Sequence, residues 1–222
     1  MIATQEALRV SQFGVRAAMV ELGCLILLVE IIEWIVPLTA YPRGAYAVPA
    51  SLLLLLLMVC FVRDGVSATE LGIRFDNLPR VFSRILPALS LFVLLTVAIG
   101  ISAGTLDFGK RFYSMLITVP LWAFIQQYML LAFAHRRVRL IIGTGTRAEL
   151  ATAALFAALH LPNPILTVVC AAGGFIWARV YDRDPNLLAN ALTHAIASAF
   201  LANSLQHTLL KNMVVGYNYF LR

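Results

Sequence analysis

Long apolar runs separated by short polar segments dominate the chain. Residues 51–62 and 85–101 contain no charged side chain. A helix that spans a membrane needs about 20 predominantly apolar residues, whereas a spanning strand alternates apolar and polar positions over about ten. These runs do not alternate, so the pattern predicts an all-α fold, a polytopic bundle of transmembrane helices.

Seven apolar segments are predicted as helices of this bundle. They cover residues 15–37, 45–63, 81–104, 112–134, 149–160, 164–181 and 186–204. The tail, 205–222, is predicted as either an eighth span or an interfacial helix, which gives about seven or eight spans in one domain, 1–222. The fifth segment is too short to cross and ends at Leu161-Pro162-Asn163-Pro164, so we expect a broken helix whose break lines a polar cavity.

The composition is typical of a membrane protein, and the positive charge is consistent with that class. The chain is 61% hydrophobic and 13% charged, against about 45–50% and about 25% in soluble domains. We assign the net charge of +6 to arginines at the ends of apolar runs, where they meet anionic lipid headgroups. No arginine run is interleaved with aromatic residues, so we expect membrane lipids and no nucleic acid as partners. Residues 67–79 are amphipathic and are predicted as a short helix at the membrane surface.

The basic residues also orient the bundle. With the N-terminus in the cytoplasm, twelve arginines fall on the cytoplasmic side, against Arg43, Lys110 and Arg111 on the other. The twelve are Arg9, Arg16, Arg63, Arg74, Arg80, Arg84, Arg136, Arg137, Arg139, Arg147, Arg179 and Arg183. This asymmetry follows the positive-inside rule. We therefore expect an integral protein of the bacterial inner (plasma) membrane with a cytoplasmic N-terminus.

Strongly polar side chains inside the predicted spans are the candidate functional residues, because they are costly in lipid. On helices four to seven they are Gln126, Gln127, His160, Asn163 and His194. At about 1.5 Å per residue, the two glutamines and His194 lie roughly 12 Å from the cytoplasmic face, and His160 roughly 16 Å. A shared cavity open to the cytoplasm would explain this common depth; hydrogen bonding between helices is the alternative.

The first predicted helix carries three carboxylates. Glu30 and Glu33 share a face and are expected near the outer interface beside Trp34, a residue type enriched in aromatic belts. Glu21 lies nearer the cytoplasm. Two hypotheses stay open for Glu21: it pairs with an arginine, or it projects into the cavity and supplies a carboxylate there.

Motifs on the later helices resemble those of the CPBP family, the CAAX proteases and bacteriocin-processing proteins, also called the Abi family of intramembrane endopeptidases. Phe156-Ala-Ala-Leu-His160 resembles the family's Phe-x-x-x-His motif, and His194-Ala-Ile-Ala-Ser198 resembles the start of its His-x-x-x-Asn motif. Residues 173–181 and 186–194 resemble the run between the family's two histidines. The resemblance covers about residues 65–205.

The sequence departs from the family where the family has a Glu-Glu-x-x-x-Arg motif. Gln126 and Gln127 stand in place of the glutamates, Leu131 in place of the arginine, and Ser198 in place of the final Asn. The resemblance implies that a glutamate acts as general base on a water, while the histidines and the Asn polarise the peptide carbonyl or stabilise the oxyanion. A glutamine amide cannot accept that proton, and general acid–base catalysis contributes about 10²–10⁴-fold.

The primary interpretation is an intramembrane endopeptidase-type protein that acts on a membrane-associated or lipidated polypeptide. Its candidate catalytic residues are Gln126, Gln127, His160, His194 and Ser198, with His160, His194 or Glu21 as the base. The alternative is a catalytically inactive pseudoprotease that binds or scaffolds without cutting. A glutamine pair introduced to disable an enzyme ranks last of the three accounts.

Two further classes rank lower. A small transporter would show paired broken helices in two related halves, and only one break is evident. His160 and His194 could bind zinc, but a catalytic zinc site usually has three protein ligands, and glutamine is a poor third. We therefore expect neither a metal nor a cofactor.

Overall fold

The structure, a computed structural model, describes residues 2–205 and 210–221, and these residues form helices and turns without a β-strand. The helices are α1 Ile2–Glu30, α2 Pro42–Ala45, α3 Ala47–Asp64, α4 Leu78–Ser102, α5 Lys110–Gln127, α6 Arg136–Ile142, α7 Thr146–Ala158, α8 Pro164–Arg183 and α9 Leu187–Ser204. Two wider π-helical segments, Ile31–Ile35 and Tyr128–His135, extend α1 and join α5 to α6. The predicted all-α fold is confirmed.

Four helical stretches among the described residues are long and apolar enough to cross a membrane. They are Ala47–Asp64, Leu78–Ser102, Lys110–Ile142 and Pro164–Arg183. A helix lies at each of the seven predicted positions, but the expected seven or eight spans are not confirmed. Helix α7 has only 13 residues, and α9 mixes its apolar residues with Asn, Thr, His and Ser. The four apolar stretches make the chain an integral membrane protein.

Helix α9 lies at the centre of the bundle, where it packs mainly against α4 and α5. Thirteen of its 18 residues are buried, and most of these are Ala, Ser, Thr or Asn. Small side chains of this kind let helix backbones approach closely. A Cβ atom at Gly100 of α4 would lie 2.7 Å from the carbonyl oxygen of Ser204. The polar side chains of α9 are therefore held against other helices.

The predicted surface helix over 67–79 is wrong, because residues 67–77 form turns and bends. Contacts with the junction between α8 and α9 hold this segment in place. Tyr181 Oη donates to the Leu71 carbonyl at 2.9 Å, and Asn186 Nδ2 donates to the Arg74 carbonyl at 2.9 Å. Gly72 has a φ of +81°, and a Cβ atom there would lie 2.8 Å from Asn186 N. These tertiary contacts satisfy backbone groups that a helix would pair internally.

The described part of the tail, 210–221, contains the 3₁₀ segments Lys211–Met213 and Gly216–Phe220 in place of an eighth span or one interfacial helix. Asn163 fastens the tail to the break after α7. Its Nδ2 donates to the carbonyl oxygens of Leu210 and Val214 at 2.8 and 3.2 Å. Its Oδ1 accepts from Leu166 N at 3.2 Å and caps α8. One buried amide thus joins the break, the next helix and the tail.

Four charged side chains join α1, α3 and α6. Glu21 accepts from Arg63 at 2.5 Å and from Arg137 at 2.9 Å. Asp64 accepts from the same two arginines at 2.8 and 2.9 Å. Arg137, only 4% exposed, also lies over the ring of Phe133 at 4.0 Å. Of the two hypotheses for Glu21, the structure shows the arginine pairing.

Glu21→Ala should lower the free energy of unfolding by about 3 kcal/mol, the low end for breaking a buried ion pair. The low end applies because the Arg63 side chain is 34% exposed and Asp64 still accepts from both arginines. Denaturant unfolding in detergent micelles measures the change. Asp76→Asn, which removes an exposed partner of Arg74, is the matched control, and an equal loss in both variants would contradict the expectation.

A second polar junction ties the start of α4 to the end of α8. Asp184 accepts from Arg80 Nε at 2.6 Å, from Asn77 Nδ2 at 2.6 Å and from Arg84 at 3.3 Å. The Arg80 guanidinium, supported by the Asn77 amide, holds the pKa of Asp184 below its usual value, although desolvation acts in the opposite direction. The carboxylate is therefore more stable as an ion in the folded protein than in the unfolded chain.

Asp184→Asn should reduce thermal stability at neutral pH and have little effect in strong acid. Because folding lowers the pKa of Asp184, its contribution is fully present above the unfolded-state pKa of about 3.9 and disappears as the pH falls through the folded-state pKa. Unfolding temperatures of the parent protein and the variant in detergent, measured from about pH 7 to about pH 2, test this. A difference that stays constant over that range would contradict the linkage.

Candidate active site

A cavity of about 130 Å³ lies between α1, α3, α5 with its π-helical extension, and α7. Its lining is mostly apolar and includes Leu25, Leu53 and Leu155. The strongly polar side chains on its wall are Glu33, Gln126 and His160. A water needs about 10–15 Å³ of such space, so the cavity has room for several waters beside these groups.

His160 reaches the cavity because α7 ends just before it. Helix α7 ends at Ala158, and the backbone N–H of His160 donates a hydrogen bond to the Ala157 carbonyl. Nδ1 of the His160 ring lies 2.6 Å from the Phe156 carbonyl oxygen, within hydrogen-bond distance. Since a carbonyl only accepts, this bond assigns the ring proton to Nδ1 and leaves Nε2 with a lone pair. His160 therefore offers a hydrogen-bond acceptor, and a base, at the cavity.

The two adjacent glutamines at the end of α5 differ in their surroundings. Gln126 lines the cavity, whereas Gln127 is fully buried. Adjacent side chains on a helix point in different directions, and here the two amides lie in different surroundings. The π-helical segment Tyr128–His135 begins directly after them, and such segments frequently occur at functional sites.

Gln127 and His194 contact each other directly. Gln127 Nε2 lies 3.2 Å from His194 Nδ1, which makes the amide the donor and assigns the His194 proton to Nε2. The His194 ring lies 4.6 Å from the ring of Trp177 and 6.0 Å from that of Phe156. Gln127 Oε1 is buried without a partner among the described residues. This is the position where the family motif would place a carboxylate.

Phe156 packs near both histidines. Its ring is 4.6 Å from His160 and 6.0 Å from His194, nearly perpendicular to both. His160 lines the cavity, whereas His194 does not. Both histidines thus contact one aromatic ring; His160 shares the cavity with Gln126, and His194 contacts Gln127.

The remaining predicted positions surround this centre. Ser198 is buried on α9, one turn after His194. Leu131, which stands in place of the family's arginine, is fully buried in the apolar core. Asn163 caps α8 and binds the tail, so it contacts backbone and does not line the cavity.

The carboxylates of α1 are divided between two sites. Glu21 is paired with Arg63 and Arg137 and does not line the cavity. Glu33, on the π-helical segment Ile31–Ile35, does line it. The carboxylate at the cavity is therefore a residue that sequence reasoning had placed at the outer interface.

Sequence reasoning missed a buried polar chain around His135. His135 Nδ1 lies 2.7 Å from Thr152 Oγ1, and its Nε2 lies 2.9 Å from Asp182 Oδ1, which also pairs with Arg139 at 3.1 Å. Hydroxyl, imidazole and carboxylate in sequence is the order of a nucleophilic triad. However, His135 and Thr152 are fully buried and do not line the cavity, so the chain joins α7 and α8 to the π-helical segment.

The cavity therefore combines an unprotonated imidazole nitrogen, a primary amide and a carboxylate around a space that can hold water. Among the described residues, no group of three or more His, Cys, Asp or Glu side chains could hold a metal ion. The chemistry that these groups support is proton transfer to and from water, with amide hydrogen bonds to a polarised oxygen.

A family model described as type II CAAX prenyl endopeptidase Rce1-like matches residues 48–200. The matched stretch contains Gln126, Gln127, His160, His194 and Ser198, and it confirms the family resemblance that the motifs predicted. No curated protein and no solved structure matches the chain. Helix α1 and Glu33 lie outside the matched residues.

The two histidines should carry their protons on opposite ring nitrogens, His160 on Nδ1 and His194 on Nε2. The chain has four histidines, so ¹⁵N chemical shifts of ring-labelled protein can be assigned by single substitutions. Gln127→Leu removes the donor to His194 and should shift its signals while those of His160 stay unchanged. The same tautomer at both rings, or an equal response to Gln127→Leu, would contradict the hydrogen bonding described above.

Proposed function

We propose that this chain, which belongs to the type II CAAX prenyl endopeptidase Rce1-like family, is an intramembrane endopeptidase-type protein that acts on a membrane-associated or lipidated polypeptide. The observation that carries the proposal is the cavity between α1, α5 and α7, which His160, with an unprotonated ring nitrogen, and Gln126 both line. Hydrolysis of a peptide bond inside a membrane requires water next to a group that takes its proton. This cavity has room for that water.

The residues at the family's motif positions have different roles in the proposed reaction. His160 orients the attacking water through Nε2, and the Gln126 amide donates to the scissile carbonyl oxygen as charge develops there. Gln127 donates to His194 and fixes its tautomer, and the His194 ring packs against Phe156. Gln126 therefore acts as a hydrogen-bond donor in this proposal, because an amide cannot act as a general base.

The placement in the membrane is part of the proposal. The arginine asymmetry favours a cytoplasmic N-terminus, with the cavity reached from the cytoplasmic side. The bacterial inner membrane is the expected location. We also propose that α1 and α9 cross the membrane with the four apolar stretches, because α9 packs along α4 and α5.

Cleavage should depend on both histidines. In proteoliposomes with a library of membrane-associated and prenylated peptides, His160→Ala and His194→Ala should each lower the cleavage rate by about 100-fold or more. His160 acts on water, and His194 positions Gln127 and Phe156. Asp76→Asn, at an exposed surface pair, is the control variant and should cleave at the parent rate.

Two outcomes would contradict the endopeptidase proposal. One is unchanged cleavage in both histidine variants, which would place the activity elsewhere. The other is an absence of cleavage together with retained peptide binding by the parent protein, which is the behaviour of the pseudoprotease alternative.

A further inference from the structure

We infer that Glu33 is the general base of this cavity and replaces the family carboxylates that Gln126 and Gln127 lack. The inference rests on the proposed function and adds a catalytic residue to the same site. Glu33 is the carboxylate among the residues that line the cavity, together with Gln126 and His160. Its carboxylate has no hydrogen bond or ion pair with any described residue.

The wall that carries Glu33 belongs to one face of α1. Leu25, Val29, Ile32 and Glu33 line the cavity in sequence, with the i, i+4, i+7, i+8 spacing of a helical face. Glu33 lies where the helix widens into the π-helical segment Ile31–Ile35. The second π-helical segment, which begins after Gln127, also lines the cavity through Met129, Leu130 and Ala134. Such irregular turns often mark functional positions.

The tail holds Glu33 and the His160 turn together. Gly216 has a φ of +59°, and a Cβ atom there would lie 2.3 Å from the Glu33 carbonyl oxygen, so the tail backbone packs directly on Glu33. The Gly216 N–H donates to the Leu161 carbonyl at 2.9 Å, next to His160. Val215 itself lines the cavity. The same short segment therefore fixes both polar walls.

The cost of placing a half-buried carboxylate in the bundle also favours a functional role for Glu33. A carboxylate inside a membrane bundle is expensive, and its retention without a cationic partner marks a functional position by default. Glu21, Asp64 and Asp184, by contrast, each have arginine partners. Glu33 instead faces a space where water can be its partner.

The proposed step balances with water and a peptide bond alone. Glu33 takes a proton from a cavity water whose other contact is His160 Nε2, while the water oxygen bonds to the peptide carbonyl carbon. The carbonyl oxygen gains the negative charge and accepts from the Gln126 amide. When the C–N bond breaks, the protonated Glu33 gives its proton to the leaving amine. The products are a carboxylic acid and an amine, and Glu33 is again ionised.

The experiment compares cleavage in proteoliposomes by four proteins: the parent, Glu33→Gln, Glu30→Gln, and Glu33→Gln combined with Gln126→Glu. Glu30 lies three residues earlier on α1 and does not line the cavity, so Glu30→Gln is the matched control. We expect Glu33→Gln to lower kcat by about 100-fold or more with little change in KM, and Glu30→Gln to match the parent. The double variant exchanges the two roles, with the carboxylate at position 126 and the amide donor at position 33 of the same cavity, and should recover part of the lost rate.

The outcomes separate this inference from the proposed function. Parent-like cleavage by Glu33→Gln, with loss in His160→Ala, would overturn the role of Glu33 and leave the endopeptidase intact. A loss in Glu33→Gln that the double variant does not recover, with a lowered unfolding temperature, would show a structural role and also overturn it. No cleavage by the parent protein would overturn both.

Discussion

Inside a membrane bundle every backbone polar group needs a protein or water partner, and this constraint governs the break between α7 and α8. Asn163, which is fully buried, meets it by capping α8 and by donating to two carbonyl oxygens of the tail. At the end of α7, the ring of His160 donates a hydrogen bond from Nδ1 to the Phe156 carbonyl oxygen. The break, the tail and the cavity wall are therefore one structure.

The polar residues of the bundle serve two different purposes, although a hydropathy pattern treats them alike. Around Glu21 and Asp64, paired charges neutralise each other and join helices, as the His135 chain also does with hydrogen bonds. At the cavity, Glu33, Gln126 and His160 face open space. Phe156, which lines that space, also contacts His194 of the buried Gln127–His194 pair. The joining groups have ion-pair or hydrogen-bond partners, whereas the second set lines the cavity.

Much of the fold could be predicted from the sequence because lipid leaves few choices. Apolar runs without alternation predict helices, and a helix lies at each of the seven predicted positions. The Pro-bounded end of α7 and the family motifs were equally local signals. The surface helix predicted over 67–79 was wrong, because its amphipathic pattern is satisfied by contacts with Tyr181 and Asn186 from distant parts of the chain.

What the sequence by itself determined is the membrane helix bundle, its family and the identity of the polar residues on α5, on α9 and just after α7. What only the tertiary structure decided is which of those groups share a space. Glu21 and Glu33 both belong to the first predicted helix, yet one meets Arg63 and Arg137 and the other lines the cavity with His160. The difference arises from which helices pack beside each turn of α1. Packing of that kind joins residues more than a hundred positions apart, beyond the reach of any local pattern.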